Sequence, residues 1–589
     1  MIDCSIPFVL LDDARPDGGA RLYTAPSAII TATRASDVPA ALDRLRAASG
    51  QGAHLAGHLA YEAGHALVGP TTPPPADAPL LWFGLFDAPR HITPAETAAL
   101  LPDPAGAWAG PPRPRLDATA HAAAVDRVQA LIAAGDIYQA NLTFPADVAV
   151  AGDPLALYAR LRRAQLSPWG GVVWTGDHWL LSLSPELFFT VEAGCVTARP
   201  MKGTATRGSN PLADAEAAAT LAADPKQRAE NLMIVDLLRN DLSRIAEPAS
   251  VAVPHLFVVE TYPTIHQMTS TVTARLGADH DAIDLLAAAF PCGSITGAPK
   301  RRAMEVIDAV EMGPRGAYTG SIGRIDPSGD AAFNVAIRTL VMEGESMTAT
   351  LGLGSGIVAD SVAPEEWRES LAKAGFVTAG QQPFDLIETM RFDPYDGLLE
   401  LDRHMGRLKA SAAAFDFTFD HHGARNELQA ATFKLRDARC VRLRLSPRGS
   451  IAIEVSAIPR SPASVSVALA PLPVDPADFR LRHKTSDRAF YDIARKATDG
   501  FEVAFTDPAG FLTEGSFTNL FVQRGETLLT PPLSRGLLPG VLRASLIGAG
   551  RAEEADLTPA DLKQGFFIGN QLRGLIPARL VAGSERLGL

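Results

Sequence analysis

The chain has 589 residues, of which 47% are apolar and 20% charged, and its formal net charge is −12. Its length exceeds what one hydrophobic core serves, so two or more domains of a folded soluble protein are expected. The acidic balance argues against a nucleic-acid or anionic-membrane surface but leaves room for an anionic metabolite, which needs only a few local cations.

Four cysteines, Cys4, Cys195, Cys292 and Cys440, stand without paired spacing, so neither a disulfide framework nor a zinc site is expected. No basic N-terminal segment with an apolar core is present, and no apolar run reaches about 18 residues. A cytoplasmic protein that does not enter a membrane is the expectation.

In chain order, the Pro/Ala/Gly-rich stretches 70–79 and 102–115 read as surface loops. Residues 118–135 have the period of an amphipathic helix, leading into Gly135-Asp-Ile-Tyr-Gln-Ala-Asn-Leu-Thr143. Strand-like runs follow at 171–175, 179–183 and 187–191. Asp224 as N-cap, Pro225 at the first helical position and Gln227 three residues after the cap predict a helix carrying Glu230 and continuing through Leu242. Strand-like, Gly-rich text at 317–325, 332–341 and 351–357 predicts a large sheet framework. A second helix start near Ser361, with Pro364 just after, puts Glu366 and Glu369 on one helical face. That helix ends near Ala374, and Val377-Thr-Ala-Gly-Gln-Gln-Pro383 separates it from a new pattern beginning Phe384-Asp-Leu-Ile-Glu-Thr-Met390. The expected division is therefore a domain over 1–376, a linker over 377–383 and a second domain over 384–589.

Lys202, in Arg199-Pro-Met-Lys-Gly-Thr204, is the most informative residue. An ammonium beside an apolar residue and a Gly-Thr turn is costly to bury, and a lowered pKa that frees a nucleophilic amine offsets that cost. Around it stand Ser184-Pro-Glu-Leu-Phe188, Glu230-Asn-Leu-Met-Ile-Val-Asp236, Arg239-Asn-Asp241, Gly297-Ala-Pro-Lys300 and Glu366-Trp-Arg-Glu369. In this order the motifs resemble the chorismate-utilising enzymes over about residues 1–375. The lysine of Pro-x-Lys-Gly-Thr points to the aminodeoxychorismate synthase component I branch, since the anthranilate synthase branch has alanine there. The resemblance implies an α+β or mixed fold whose first domain is an antiparallel sheet sandwich flanked by helices, as in anthranilate synthase.

For the site, the resemblance implies Mg²⁺ held by Glu230, Glu366 and Glu369; hard oxygen ligands on facing helices suit that ion. It implies Lys202 as the group attacking C2 of chorismate, Glu186 as general acid/base and His266 as an active-site histidine. Arg338 is the expected bidentate partner of a substrate carboxylate. Tyr318, Thr204, Lys373 and the backbone at Gly354 and Gly356 are expected to complete the substrate pocket. No Gly-x-Cys-x-Gly elbow is found, so ammonia is expected from a separate glutamine amidotransferase subunit.

From Phe384 onward, Leu401-Asp-Arg-His-Met-Gly-Arg-Leu408, Lys484, Thr513-Glu-Gly-Ser-Phe-Thr-Asn519 and Gly536-Leu-Leu-Pro-Gly-Val-Leu-Arg543 resemble the fold-type IV pyridoxal-phosphate enzymes. That class includes branched-chain aminotransferases and aminodeoxychorismate lyase, and its two-subdomain α+β fold is expected here. The resemblance implies pyridoxal 5′-phosphate carried by Lys484, its ring nitrogen paired with Glu514, and its phosphate held by Arg407, by backbone near Leu538 and by the helix after Gly540. Asn570 and Arg573 are expected on the substrate side, and a homodimer through this domain is a further expectation.

Cofactor residues do not separate lyase from aminotransferase. Fusion to a synthase favours the lyase, which would take the neighbour's product to 4-aminobenzoate, a folate precursor, with loss of pyruvate. Two alternatives stand: an anthranilate synthase-type domain fused to a class IV aminotransferase of other specificity, and a second half that is a structural module without chemistry.

Overall fold

The structure, a computed structural model, describes residues 2–69, 78–262, 265–344 and 346–581. The expected loop at 70–79 therefore falls mostly outside the described residues. The chain divides into two compact units: 1–101, 111–148 and 161–379 form the first, and 102–110, 149–160 and 380–589 the second.

The elements that carry the first unit's site residues are β1 (His54–Leu59), α1 (Ala118–Ala133), β2 (Gln139–Ala151), β3 (Met201–Thr206), α2 (Pro225–Ser243), β4 (Ile265–Arg275), β5 (Thr348–Ile357) and α3 (Ala363–Ala372). One sheet runs from β3 through β4, Cys195–Arg199, Leu187–Glu192, Ala331–Asn334, Ser321–Ile325 and β1 to Leu81–Phe86 and Ala28–Ala32. The other places β2, β5, Thr339–Glu343, His178–Ser182, Gly170–Trp174 and Phe8–Asp12 side by side.

Alternation along β1 shows how the sequence builds a sandwich from them. Leu55 and Leu59 enter a core cluster with Ile234, Val235 and Leu238 of α2. Ala56, on the other face, packs with Val9, Tyr23, Val173 and Leu180 from the second sheet. One sheet thus carries helices on its outer face and the second sheet on its inner face.

The helix starts follow their caps. Asp224 accepts the N–H groups of Lys226 and Gln227, and Pro225 fills the first turn. Ser361, by contrast, does not cap α3: its hydroxyl accepts from Val358 N–H, and the helix begins after Val362 without a side-chain cap. The strand expected over 332–341 is two strands, Ala331–Asn334 and Thr339–Glu343, because Arg338 takes a left-handed conformation with φ +50° between them.

The expected surface loop at 102–115 is corrected at its centre. Trp108 is only 5% exposed and packs edge-on against Phe415 at 5.0 Å, within the second unit's own core. A lone tryptophan in Pro/Ala/Gly text carried that signal, and composition masked it.

The second unit contains a four-stranded sheet built on β6 (Leu386–Asp393) with α4 (Leu401–Ala414) against it. It also contains an eight-stranded sheet that includes β7 (Leu512–Gly515) and is followed at one strand by α5 (Val541–Gly548). Each sheet has its own apolar cluster, around Met390 and Leu443 in one and Leu520 and Ile568 in the other. Among the described residues no helix is long and apolar enough to cross a membrane.

Candidate active sites

Lys202 sits on a backbone irregularity. The register of β3 against β4 shifts between Met201 and Thr204, and Gly203 has φ +100°, which favours glycine. Three side chains hold the irregularity from below. Gln267 donates to Gly203 O at 2.8 Å, Asn231 donates to Lys202 O at 3.1 Å, and Ser270 fixes Asn231 at 2.6 Å. Asn231 follows Glu230 on α2, so adjacent helix residues meet the two ends of one lysine. Glu230 Oε2 lies 3.9 Å from Lys202 Nζ. A Cβ on Gly356 would come within 2.5 Å of the same Nζ, so a residue with a side chain there would displace the amine.

Glu186 is buried, and its Oε1 accepts from Ser294 Oγ at 2.9 Å. Burial pushes its carboxyl up to about 7, although Ser294, Met201 N–H and the Lys202 charge oppose the rise. A carboxyl that holds its proton near neutrality next to a lysine has the chemistry of a general acid.

Glu230 is pushed up first by burial, then by Glu366 and Glu369, with Lys202 and Lys226 opposing. The three carboxylates on α2 and α3 thus feel one another. They do not converge as a ready cage: among the described residues no group of three or more His, Cys, Asp and Glu side chains stands in position to hold a metal. Glu369 is exposed and engaged by Lys373 at 2.8 Å; partial desolvation raises its carboxyl, but that lysine outweighs it and holds the group below the usual range. The oxygen chemistry of the three carboxylates is nonetheless of the kind that suits Mg²⁺, which keeps several waters and takes few protein ligands.

The remaining candidates fall into two groups. Arg338 is largely buried, burial pulls its pKa down, its guanidinium donates to Gln165 Oε1 at 3.1 Å, and among the described residues no carboxylate pairs with it. The others are already engaged. Lys373 also donates to Gly354 O at 2.9 Å, so it clamps α3 to β5 rather than reaching freely for substrate. Thr204 is exposed and donates to Gln267. His266 is buried, with Nε2 2.9 Å from Asp214 Oδ1 and Nδ1 3.0 Å from Thr261 Oγ1, so both ring nitrogens are taken. Tyr318 lies over Gly352, where an added Cβ would meet its ring at 2.0 Å. That is four residues, about 13 Å along the strand, from the Lys202 contact at Gly356. Gly354 has the backbone of Leu142 against it, at 2.4 Å from an added Cβ.

Sequence reasoning missed Ser294, Asn231 and Gln139. Gln139 is fully buried on β2, and neither its amide nitrogen nor its amide oxygen has a partner among the described residues. Its Nε2 would lie 3.3 Å from the same added Cβ on Gly356 that meets Lys202, so it borders the amine's space. An unpaired buried amide is rare and marks the position as one where a polar partner is wanted. The only sequence signal was its place in the stretch 135–143.

In the second unit, burial lowers Lys484 to about 7, with Arg407 adding to the effect and Glu388 opposing it. A free amine is therefore available at neutral pH, which carbonyl condensation requires. Glu514, 3% exposed at the end of β7, is pushed up to about 7 by burial. Tyr491 donates its hydroxyl to Glu514 Oε1 at 2.5 Å, and Leu538 N–H donates to the same carboxylate.

The Leu538 N–H is thus engaged by the glutamate, which leaves the neighbouring backbone N–H groups for the phosphate expected near Leu538. Arg407 is corrected in part. Its Nε and Nη2 form a two-pronged pair with Glu388 of β6 at 2.8 and 2.7 Å, Nη1 donates to Pro539 O, and His404 also meets Glu388 at 2.6 Å. The remaining N–H groups of the guanidinium are those open to an anion. Gly540 caps α5 without a side chain, leaving first-turn N–H groups for an anion, and an added Cβ there would strike Asn519 Oδ1. Asn570 turns inward to its own loop, accepting from Leu572 N–H and Arg573 N–H. Lysine, buried glutamate and a glycine-capped helix start together fit pyridoxal phosphate.

Residues 7–379 match the family model for chorismate binding enzymes, and residues 385–581 match that for class IV amino-transferases. Aminodeoxychorismate synthase component 1 of Salmonella typhimurium is 47% identical over 252 residues, 42% of this chain and 54% of that protein. An anthranilate synthase component 1 of Halobacterium salinarum is 41% identical over 265 residues, 45% of this chain and 50% of that protein. The chain thus spans about half the length of these curated relatives. The solved anthranilate synthase component I of Streptococcus pneumoniae aligns at a TM-score of 0.50 and 25% identity, covering 63% of this chain and 90% of that one.

Proposed function

We propose that this chain, which belongs to the chorismate binding enzyme family over residues 7–379 and continues into a class IV amino-transferase domain, makes 4-aminobenzoate in two steps. The observation that carries the reading is Lys202, held on its bulge between Glu230 and Gly356 with Glu186 buried nearby. Relatives of both aminodeoxychorismate and anthranilate synthase type are similar to this chain, so overall likeness does not choose between them. The lysine does.

In the first step the Lys202 amine attacks C2 of chorismate, the ring double bonds shift, and the C4 hydroxyl leaves as water with the Glu186 proton. Ammonia then adds at C4 and expels the lysine, giving 4-amino-4-deoxychorismate. Arg338 supplies the unpaired cation for a substrate carboxylate, and Gln139 a hydrogen bond. Mg²⁺, when bound, neutralises charge on the ring carboxylate; Glu230, Glu366 and Glu369 would hold it. A glutamine amidotransferase subunit is the proposed ammonia source.

In the second step the domain over 384–589 releases pyruvate from that product. Pyridoxal phosphate, when bound, supplies an electron sink. Lys484 holds it and then moves the proton, Glu514 faces its ring nitrogen with Oε1 fixed by Tyr491, and Arg407 with the start of α5 faces its phosphate. Residues 377–383 are the proposed linker and the second domain the proposed dimer contact.

Replacing Glu230 or Glu369 by glutamine is expected to raise the Mg²⁺ concentration for half-maximal amination by on the order of tenfold or more, and to leave pyruvate release from added aminodeoxychorismate unchanged. Metal titration of the ammonia-dependent reaction checks this, and wild-type curves for both variants would sink the metal assignment. The two-step reading itself is tested by identifying the products of the full chain.

A further inference from the structure

Residues 102–110 lie inside the stretch that matches the chorismate binding enzymes, yet they belong to the second compact unit. A short ladder with the end of β2 stiffens this arm, Trp108 pairing with Ala151 and Ala109 with Val150. The Trp108 ring stands edge-on to Phe415. Phe415 in turn meets Phe479 at 5.4 Å and the His483 ring at 4.6 Å, both edge-on. His483 is the residue before Lys484, so one aromatic stack runs from the arm to the segment of the proposed cofactor lysine. Close-packed rings of this kind transmit a displacement rather than absorb it.

A polar path runs the same way. Gly106 lies against Asp478, where an added Cβ would come within 3.2 Å of Oδ2. Asp478 is buried and takes the Arg480 guanidinium in a two-pronged pair, Nε at 3.0 Å and Nη2 at 2.6 Å. Asp103 adds a longer contact to the same guanidinium at 3.9 Å. The other end of Arg480 donates from Nη1 to Asp487 Oδ2 at 3.1 Å, three residues after Lys484. On its opposite side the lysine segment is tied to the start of β6. Ile387 N–H donates to Lys484 O at 2.8 Å, and Ser486 N–H donates to Asp385 O at 2.7 Å. The segment 483–488 is thus clamped twice, and the arm stands behind one of the clamps. Buried charges paired in this way hold one geometry, because losing a partner is costly.

We propose that the arm 102–110 is a positioning element of the second active site: through Trp108 and Gly106 it sets the segment that carries Lys484. The second catalyst is then completed by a piece of the first domain's sequence, which a chain starting at residue 380 lacks. The proposal rests on the reading of Lys484 as the cofactor lysine.

The test titrates the full chain, freed of cofactor, with pyridoxal phosphate, and locates the adduct by borohydride reduction and peptide mapping. Trp108→Ala is expected to weaken pyridoxal phosphate about tenfold and Trp108→Phe about threefold. Gly106→Val presses on Asp478 and leaves the aromatic stack alone; about fivefold weaker binding is expected, and this variant decides should Trp108→Ala not fold. The pH dependence of adduct formation moves as well. Its native midpoint lies near 7, because burial lowers Lys484 to about 7, with Arg407, Arg488 and Arg442 adding to the effect and Glu388 opposing it. A displaced segment gives the amine more water, so the midpoint rises by about one pH unit in both arm variants. Leu428→Ala, on the helix His421–Thr432 in the same apolar cluster, is the control for stability alone. It is expected to lower the thermal midpoint and to keep the native affinity and pH midpoint. Native affinity and pH midpoint in Gly106→Val, or equal losses in Leu428→Ala, would overturn the proposal. A native chain with no adduct on Lys484 is a different failure, that of the cofactor reading, and it takes the proposal with it.

Discussion

Lys202→Ala is expected to lower ammonia-dependent formation of aminodeoxychorismate by about three orders of magnitude or more, with the second domain's activity intact. The amine is built into place rather than left to a flexible stem: its carbonyl is pinned by Asn231, the next peptide by Gln267, and its tip is confined by Glu230 and Gly356. A side chain positioned this way acts as a nucleophile because little entropy remains to be lost on attack. Its removal also takes away the charge that opposes the rise of Glu186, so that carboxyl moves further up. A variant that aminates at C2 instead, releasing anthranilate, supports the assignment. Wild-type rates at C4, with no adduct trapped on the native enzyme, would show that Lys202 is not the nucleophile.

Lys484→Ala is expected to abolish the visible absorbance of bound cofactor and all pyruvate release, while chorismate is still consumed and aminodeoxychorismate accumulates. Burial with Arg407 nearby holds this lysine near neutrality, and no other lysine follows it before Lys496. Spectra of the purified variant with added pyridoxal phosphate, and a lactate-dehydrogenase assay for pyruvate, are the checks. Pyruvate release at the native rate would remove Lys484 from the mechanism.

Local signals in the sequence were strong where one residue does one local job. Asp224 and Pro225 start α2 as their capping chemistry requires, and the strand-like apolar run 187–191 falls on Leu187–Glu192 in its sheet. Lys202 and Lys484 were singled out by their neighbours in the chain. What supports them was not legible, because it comes from elsewhere in the fold. Ser294 reaches Glu186 across 108 residues, Glu388 reaches Arg407 from the adjoining strand, and Leu538 gives its N–H to Glu514 instead of to solvent or phosphate. Lys373, Thr204 and His266 were expected at the substrate on motif position alone. Each has a partner that only tertiary structure reveals. Trp108 shows the same limit for packing: nothing local says that a tryptophan in loop-like text belongs to a core assembled mainly from residues after 380.

The central claim is that one chain carries chorismate to 4-aminobenzoate by two catalysts in series. The most direct measurement supplies the purified full chain with chorismate, ammonium and Mg²⁺, with and without pyridoxal phosphate, and identifies the products by mass and by chromatography against standards. The account predicts 4-aminobenzoate and pyruvate in equal amounts with the cofactor, and aminodeoxychorismate alone without it. Anthranilate in either case, or amino transfer between amino and keto acids with no pyruvate from aminodeoxychorismate, would contradict it.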